Sequence, residues 1–440
     1  MTKNTTTNYQ NNEILTTKDD FINLNNATAN FASFGSGMTA HLKAWITALQ
    51  KANDLLPHQL RFSDIEFDHG NNESGKISLH LVEQLESLPV FALSVVVQKQ
   101  ALHSESASDT DKSDQDKNAA FEAHIAEWAS QNPLWQLIEV VRGTDSLQDI
   151  TGSDRLTPVL TYRYILMPTD TATMQPAKKS AAARLLDDSI TSHLRQFIDS
   201  LPITHDLGGD ASIDCHIVSL AKMLRPHRVA VFDMDSTLIE QEVIVELAKH
   251  VNIGDQVSEI TESAMRGEID FDTSFSERLA LLGGISTDAL DEIQQQLTLS
   301  AGARTLIATL KSLGYHTVLV SGGFTYFAER IAKELGIDEV HANELDIENG
   351  VVTGNVNLPI VNGERKATLV QQIADRMNIT TAQIICVGDG ANDLPMMAIA
   401  DLGVAYHAKP IVRARSDAAI NATGLEGVLY VLGYSAQDLL

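Results

Sequence analysis

The chain has 440 residues, enough for two or three domains, and its hydrophobic content of 44% excludes a protein that is disordered as a whole. Its formal net charge of −26 argues against nucleic acid and anionic membrane surfaces as partners, because both attract basic proteins. Any site for a phosphate ester must therefore create its own positive field from a metal, a lysine, an arginine or backbone amides.

Three features of the sequence predict a cytoplasmic protein. Cys215 and Cys386 lack the spacing of a metal site or a disulfide framework, which favours a reducing compartment. The first residues contain no apolar run, so no secretory signal is expected. No run of about 18 apolar residues occurs in the sequence, so no transmembrane helix is expected either.

The first half of the chain mixes helix and strand patterns. Residues 1–30 are rich in Asn and Thr and predict a flexible tail, and the polar segment 103–119 predicts an inserted loop. Apolar spacing predicts helices over 38–55 and 184–201. Strands are predicted at 76–81, 90–97, 138–142 and 159–167. Residues 31–220 are therefore expected to form an α+β region.

From residue 228 onward, strands alternate with helices. Strands are predicted at 228–232, 315–320, 383–387 and 402–405, and helices at 326–335 and 366–377. The alternation predicts an α/β domain over 221–440 with a doubly wound, Rossmann-like parallel sheet. Ligands of such sheets bind at the C-terminal ends of the strands. Helical patterns at about 240–300 predict a small cap over that edge.

The strand predicted at 228–232 leads directly into Asp233-Met234-Asp235-Ser236-Thr237. Residues i and i+2 of an extended chain point to the same side, so both carboxylates are expected on one rim. Such a pair suits a Mg²⁺ ion and phosphoryl transfer, with Asp233 as nucleophile and Asp235 as general acid and base. A helix-start turn capped by Asp235 or Ser236 explains the same five residues equally well.

Two further features are weak signals by themselves. Ser321-Gly322-Gly323 follows a predicted strand, and glycines let backbone amides approach a phosphate, but a plain turn is their usual role. Lys366, at the predicted start of a helix, would ordinarily be a solvated surface charge. A site that holds several carboxylates and a phosphate needs a cation, which Lys366 would supply.

The strand predicted at 383–387 leads into the segment Gly388-Asp389-Gly390-Ala391-Asn392-Asp393. Asp389 is the expected remaining carboxylate on Mg²⁺, while Asn392 and Asp393 would hold the loop, the metal waters or the lysine. A calcium-type loop or a simple turn is the alternative, although no Glu follows at the EF-hand spacing. The order of the four features along the chain favours a single phosphoryl-transfer site.

The ordered set resembles the haloacid dehalogenase-like phosphatases and, within them, the phosphoserine phosphatase family. The likeness covers about residues 225–435 and includes Glu242, the segment 260–267 (ITESAMRG), Phe271, Arg278 and the segment 321–324 (SGGF). It implies an Mg²⁺-dependent enzyme that hydrolyses phosphoserine through an aspartyl phosphate, in the last step of serine biosynthesis.

The resemblance also implies roles on the phosphoryl side of the site. Asp233 would be the nucleophile and Asp235 the acid and base. The metal ligands would be Asp233, Asp389 and the main-chain carbonyl of Asp235. The phosphoryl group would be held by Ser321, Gly322, Lys366 and Asn392, with Asp393 in support.

On the serine side, the resemblance assigns four residues of the cap. Glu242 would bind the amino group of the substrate and Arg278 its carboxylate, for which a guanidinium fork is suited. Met265 and Phe271 would close over the serine moiety. Taken singly, the two charged residues are explained as exposed helix charges and the two apolar ones as cap core.

The N-terminal half carries no binding motif. Longer bacterial members of the family have an N-terminal domain that resembles the amino-acid-sensing ACT fold, and residues 31–220 have a mixture of elements that fits it. The resemblance thus suggests serine feedback and a homodimer formed through this half.

Three alternatives remain open. A related enzyme on the same fold would act on phosphothreonine or a homoserine phosphate, and the charged cap residues disfavour only a sugar phosphate. A ligand-sensing protein with a vestigial phosphatase half would lack one chemical group, whereas Asp233, Asp235, Lys366 and Asp389 are all present. A cation-pumping ATPase shares the chemistry but needs a membrane domain.

Overall fold

A computed structural model describes residues 36–51, 65–67, 75–77, 90–98, 135–145, 152–169, 213–265 and 268–435, with single residues between 82 and 133. The predicted tail, the polar insert at 103–119 and the predicted helix at 184–201 lie outside the described residues. Within these ranges, no helix is both long enough and apolar enough to cross a membrane.

The N-terminal half contains a four-stranded antiparallel sheet. Its elements are helix α1 (Ser36–Lys51), the hairpin β1 (Ile65–Phe67) and β2 (Gly75–Ile77), and the sheet strands β3 (Phe91–Gln98), β4 (Trp135–Asp145), β5 (Val159–Pro168) and β6 (Ile213–Ser219). The spatial order is β4-β5-β3-β6. The strands predicted at 90–97, 138–142 and 159–167 are confirmed, as is the helix predicted at 38–55 in its first 14 residues.

The two faces of this antiparallel sheet pack differently. Alternate residues point to opposite faces of a strand. Ala92, Val96 and Val218 belong to the same apolar core as the C-terminal half, while Leu93 and Tyr162 belong to a separate cluster on the other face. The first face therefore lies against the C-terminal half of the chain.

The C-terminal half is built on a six-stranded parallel sheet, as the α/β prediction requires. Its strands are β7 (Val229–Phe232), β8 (His316–Phe324), β9 (Glu339–Asn343), β12 (Ile384–Gly388), β13 (Leu402–Tyr406) and β14 (Ala418–Ile420). They lie in the order β14-β13-β12-β7-β8-β9, and each pair is parallel. A hairpin of β10 (Leu345–Glu348) and β11 (Val351–Val356) stands apart from it.

Helices surround this sheet and form the cap. A short helix α2 (Leu220–Leu224) follows β6. The cap helices are α3 (Val243–His250), α4 (Gly254–Met265), α5 (Phe271–Leu281) and α6 (Thr287–Gln296). The others are α7 (Ala303–Ser312), α8 (Thr325–Leu335), α9 (Gly363–Arg376), α10 (Leu394–Ile399), α11 (Pro410–Arg413) and α12 (Gly427–Val431). The helices predicted at 240–300 are confirmed.

The centre of the sheet determines where the chemical groups meet. Strands β7 and β12 are buried throughout, which explains their continuous apolar sequences. Phe232 pairs with Val387 on one side and with Leu319 on the other. The segments that follow β7, β8 and β12 therefore emerge side by side at one edge.

Two boundaries differ from the sequence prediction. Strand β8 does not end at 320 but continues through Ser321-Gly322-Gly323 to Phe324, with an irregular register after Val320. Helix α9 begins at Gly363 rather than at Lys366, because the side chain of Asn362 accepts a hydrogen bond from the amide of Arg365 and caps the first turn. Lys366 consequently lies inside the first turn of the helix.

Candidate active site

The loop after β7 holds both predicted catalytic aspartates in extended conformation. Asp233 continues the strand, since its amide donates to the carbonyl oxygen of Val387 at 3.0 Å. Asp235 is also extended, and Ser236 then adopts a left-handed conformation with φ 55°. The amide of Ser236 donates to the carbonyl oxygen of Gln241 at 3.2 Å, which closes a tight loop. The charge of Asp235 contributes to the raised pKa of Asp233, so the two carboxylates lie near each other.

Lys366 lies between two buried carboxylates. Its side chain is 0% exposed, and Nζ contacts Asp233 Oδ1 at 2.6 Å and Asp393 Oδ1 at 2.7 Å. Burial alone would lower the pKa of Lys366, but the charges of Asp233 and Asp393 raise it above its ordinary value. Lys366 therefore remains a cation and partly neutralises both carboxylates.

Burial also raises the pKa of both catalytic candidates. The pKa of Asp233 lies well above its usual range because of burial and the charge of Asp393, with Lys366 opposing the shift. Burial and the charge of Glu242 raise the pKa of Asp235 to about 8. The Oδ1 atom of Asp235 accepts a hydrogen bond from the amide of Val243 at 3.2 Å. A carboxyl group with such a pKa can carry a proton near neutral pH, as a general acid must.

The Ser-Gly-Gly segment lies directly against Asp235. Ser321 is fully buried, and its Oγ accepts a hydrogen bond from the amide of Gly323 at 2.8 Å. A Cβ atom on Gly323 would lie 2.8 Å from Asp235 Oδ2 and 2.9 Å from Met234 Cε. An alanine at 323 would therefore require the side chains of Asp235 and Met234 to shift. At Gly322 the space is bounded by Phe271, whose Cζ would lie 3.5 Å from an added Cβ.

The loop after β12 brings a third carboxylate to the same rim. Burial, then the charges of Asp393 and Glu242, raises the pKa of Asp389 to about 7. Asp393 Oδ2 accepts a hydrogen bond from the amide of Gly390 at 3.0 Å. Asn392 lies close to the start of helix α9, since its carbonyl oxygen would lie 2.9 Å from a Cβ on Gly363.

Three of these carboxylates form a group that fits a divalent cation. One oxygen each from Asp233, Asp389 and Asp393 lies within 4.8 Å of the others. Oxygen ligands of this kind suit Mg²⁺, and a cation would relieve the burial and repulsion that raise the pKa of Asp233 and Asp389. The predicted third ligand is the main-chain carbonyl of Asp235, whereas the third carboxylate of the group is that of Asp393.

The cap places its predicted residues near the same rim. Glu242 is exposed, and its Oε1 accepts a hydrogen bond from Ser236 Oγ at 2.9 Å. Arg278 is half-buried, and its Nε donates to the carbonyl oxygen of Ser274 at 3.2 Å. Burial lowers the pKa of Arg278, and the charges of Glu242 and Asp235 oppose that shift. Met265 ends helix α4, and its side chain lies outside the described residues.

Two asparagines outside the predicted motifs also hold segments of the site in place. The buried Asn343 donates from Nδ2 to the carbonyl oxygen of Gly322 and accepts from the amide of Val361, both at 2.8 Å. Asn362 donates from Nδ2 to Asp272 Oδ1 in cap helix α5 at 2.8 Å. Asn362-Gly363 carries a recognisable helix-cap signal, whereas nothing in the sequence around Asn343 indicates its two partners.

The chain is similar to a family of hydrolases and to several named enzymes. The family model of haloacid dehalogenase-like hydrolases matches residues 230–398. The phosphoserine phosphatase of Streptomyces coelicolor is 41% identical over 245 residues, which cover 55% of this chain and 60% of that protein. The probable phosphoserine phosphatase of Schizosaccharomyces pombe is 39% identical, over 55% of this chain and 82% of that protein. This chain thus spans less than two thirds of the length of the Streptomyces protein.

A solved structure is similar over a larger share of the chain. The HAD-family hydrolase of Salmonella enterica serovar Typhi matches with a TM-score of 0.57 at 25% identity, covering 78% of this chain and 98% of that one. The likeness therefore extends beyond the parallel sheet and cap into the N-terminal half.

Proposed function

Because the chain belongs to the haloacid dehalogenase-like hydrolase family, we propose that it is an Mg²⁺-dependent phosphoserine phosphatase that converts O-phospho-L-serine to L-serine and phosphate. The buried contact of Lys366 with Asp233 and Asp393, beside the high-pKa Asp235, supports this function most directly. Relatives named phosphoserine phosphatase at 36–44% identity support the choice of substrate.

In the first half of the reaction, Asp233 would attack the phosphorus of the substrate. The new bond joins an Asp233 carboxylate oxygen to phosphorus, and the bond from phosphorus to the serine oxygen breaks. Asp235 would donate its proton to that leaving oxygen, which agrees with a pKa of about 8. Lys366 lies on Asp233 Oδ1 and would neutralise charge on the transferring group.

In the second half, water would attack the phosphorus of the aspartyl phosphate. Asp235, now deprotonated, would take the proton of the water as a general base. The bond between phosphorus and Asp233 breaks, which releases phosphate and restores the nucleophile. The cap helices α3–α6 would exclude bulk water during the first half and admit it for the second.

Mg²⁺ would be held by Asp233, Asp389 and the main-chain carbonyl of Asp235, with Asp393 near enough to contribute. When bound, it would supply positive charge that stabilises the phosphoryl oxygens during transfer. Removing divalent metal with a chelator is expected to abolish turnover, and adding back Mg²⁺ to restore it.

Glu242 and Arg278 would select the amino acid part of the substrate. Both contribute charge near Asp235, so an ammonium and a carboxylate next to the scissile oxygen would find opposite charges. Phe271 stacks on Phe275 at 6.4 Å between ring centroids and approaches Gly322, which gives the serine methylene an apolar wall. Met265 is proposed for the same wall from the family likeness alone.

The N-terminal region 31–220 is proposed to be an ACT-like domain. A four-stranded antiparallel sheet in the order β4-β5-β3-β6, in which the sheet's first strand along the chain, β3, lies beside its last, β6, supports this proposal. Serine feedback and a homodimer through this region remain proposals, as do a role in serine biosynthesis and a cytoplasmic location. Unchanged assembly and unchanged serine inhibition after deletion of residues 1–220 would contradict the regulatory role.

The decisive experiment measures phosphate release with Mg²⁺ from L-phosphoserine, phosphothreonine, a sugar phosphate and p-nitrophenyl phosphate. Wild type is compared with Asp233→Asn and with Asp255→Asn, an exposed aspartate of cap helix α4. We expect preference for phosphoserine, loss of turnover in Asp233→Asn and full turnover in Asp255→Asn. Faster turnover of another ester would overturn the assignment of phosphoserine as the substrate. No turnover of any ester would favour a binding protein.

A further inference from the structure

A loop of the N-terminal half, residues 152–158, lies against the C-terminal half and is fixed there at two points. Asp154 Oδ2 accepts a hydrogen bond from the amide of Thr305 at 2.7 Å. Helix α7 has Gly302 at its N-cap, which has no side chain to cap it, so Asp154 does this from another part of the chain. At the other point, the amide of Thr157 donates to Glu426 Oε1 at 3.4 Å.

Arg155 lies between these two anchors and reaches the base of the cap. Its Nη2 donates to the carbonyl oxygen of Leu299 at 2.5 Å and pairs with Glu240 Oε1 at 2.8 Å. Glu240 belongs to the segment that leads from the sheet into the cap, residues 239–242. Leu299 belongs to the segment that leads back, residues 297–300. One guanidinium therefore holds both segments that cross between sheet and cap.

The two crossing segments are also bonded to each other. Ile239 and Leu299 form an antiparallel bridge. The amide of Glu240 donates to the carbonyl oxygen of Thr298, and that of Ser300 to the carbonyl oxygen of Leu238, both at 2.9 Å. A rotation of the cap relative to the sheet would therefore bend these two paired segments, and Arg155 contacts both of them.

The outgoing segment is continuous with the catalytic loop. The carbonyl oxygen of Gln241 accepts from the amide of Ser236, and the amide of Val243 donates to Asp235 Oδ1. Glu242 accepts from Ser236 Oγ. Glu240 thus belongs to a loop in which hydrogen bonds from the following residues reach Asp235 and Ser236, and Glu242 is held by the same loop.

We infer that Arg155 is a positioning residue through which the N-terminal half holds the base of the cap and thereby orients Asp235 and Glu242. It acts through Glu240 and the carbonyl of Leu299 and does not touch the substrate. This role depends on the proposed function, because it assigns the proton transfer to Asp235. It also gives the N-terminal half a direct physical connection to the reaction.

The test compares Arg155→Ala, Arg155→Lys and Glu240→Gln in the full chain. Arg376→Ala is the matched control, because Arg376 is also 57% exposed and also pairs with a glutamate, Glu339, but lies away from the crossing segments. The readouts are kcat and KM for L-phosphoserine with Mg²⁺, the melting temperature, and hydrogen exchange of the amides of Glu240 and Ser300.

We expect Arg155→Ala to lower kcat/KM about fivefold, the size of an exposed charged contact, and to speed exchange of both amides. Arg155→Lys should recover most of this, since a lysine can still pair with Glu240. Glu240→Gln should resemble Arg155→Ala, and the double variant should lose less than the sum of the two single losses.

A purely structural role would lower the melting temperature of Arg155→Ala and leave kcat/KM and the two amides at wild-type values, which would overturn the inference. Equal losses in Arg376→Ala would also overturn it. If the wild type did not hydrolyse phosphoserine, the proposed function would fall, while exchange of the two amides would still decide whether Arg155 holds the crossing segments.

Discussion

Buried polar side chains at the catalytic edge of the parallel sheet differ from Ser94 and His216 of the antiparallel sheet in whether they have partners. At the catalytic edge of the parallel sheet, Lys366 contacts Asp233 and Asp393, so charges are buried against one another. In the antiparallel sheet, Ser94 lies opposite His216, and neither side chain finds a hydrogen-bond partner among the described residues. Burial lowers the pKa of His216 to about 4, which keeps it neutral. Burial thus keeps a charge only where a partner offsets the loss of hydration.

The largest expected effect is at the paired charges. Lys366→Met would leave Asp233 and Asp393 buried together without their cation. We expect a loss of about 3–5 kcal/mol in the free energy of unfolding without divalent metal. Turnover should fall on the order of a thousandfold, because Lys366 is also proposed to neutralise the transferring phosphoryl group. Urea unfolding and phosphate release measure both effects.

Arg376→Ala is the control for Lys366→Met, since it breaks a pair with Glu339 in which the arginine is 57% exposed. Its cost should stay below about 1 kcal/mol. A Lys366→Met protein as stable as this control would show that the buried carboxylates are neutral, and the contrast between the two sheets would disappear.

The next effect depends on space rather than charge. In Gly323→Ala the new methyl group would lie 2.8 Å from Asp235 Oδ2, so the acid must move. We expect turnover to fall about 100-fold and stability to fall by about 1–3 kcal/mol. Gly254→Ala is the control, because a Cβ there meets nothing within 4 Å. Its stability should stay within about 0.5 kcal/mol of wild type. Comparable losses in both variants would contradict the tight approach at Gly323.

The catalytic strands were predictable because each joins a continuous apolar run to a polar motif. Val229–Phe232 before Asp233 and Ile384–Gly388 before Asp389 are buried on both faces, so their sequences carry a strong signal. The parallel arrangement followed from alternation with helices, and it brought the motifs to one edge. The prediction that Phe271 and Arg278 lie at that edge came from the family likeness, because no local sequence pattern indicated it.

Other features depend on contacts between distant parts of the chain. Asn343 binds Gly322 and Val361, which are 21 and 18 residues away, and no local pattern reports such contacts. Strand β8 continues through Gly322, where glycines favoured a turn, because β9 pairs with it again at Phe324. The burial of Lys366 depends on Asp233 and Asp393, so its sequence position alone suggested a surface charge.

A third test changes His216, the buried side chain of the antiparallel sheet that has no hydrogen-bond partner among the described residues. His216 has a pKa of about 4 when folded and an ordinary value of 6.5. As pH is lowered, the unfolded chain therefore takes up a proton on His216 before the folded protein does. The free energy of unfolding falls as pH falls from about 6.5 toward 4. The same face also carries Asp214. Burial raises its pKa to about 6, so its effect on the pH dependence of stability is opposite to that of His216. Arg163 lies on β5, opposite Ser94.

His216→Phe removes the titrating ring while keeping Asp214 and Arg163 in place. We expect the loss of unfolding free energy between pH 7 and pH 5 to be smaller by about 2 kcal/mol than in wild type. Urea unfolding at both pH values measures it. An unchanged pH dependence would show that His216 is already charged, or hydrated, in the folded protein.

The smallest effect is expected where a polar pair at the catalytic edge is exposed. Asp272 in cap helix α5 accepts a hydrogen bond from Asn362 Nδ2, and both groups face water. Asp272→Ala should therefore cost less than about 1 kcal/mol of stability, although it removes a hydrogen bond between the cap and the start of helix α9 and should raise KM about two- to threefold. Glu277→Ala, an exposed change on the same helix, should leave KM unchanged. A stability loss in Asp272→Ala as large as that of Lys366→Met would mean that position at the catalytic edge, rather than burial, sets the cost of losing a polar partner.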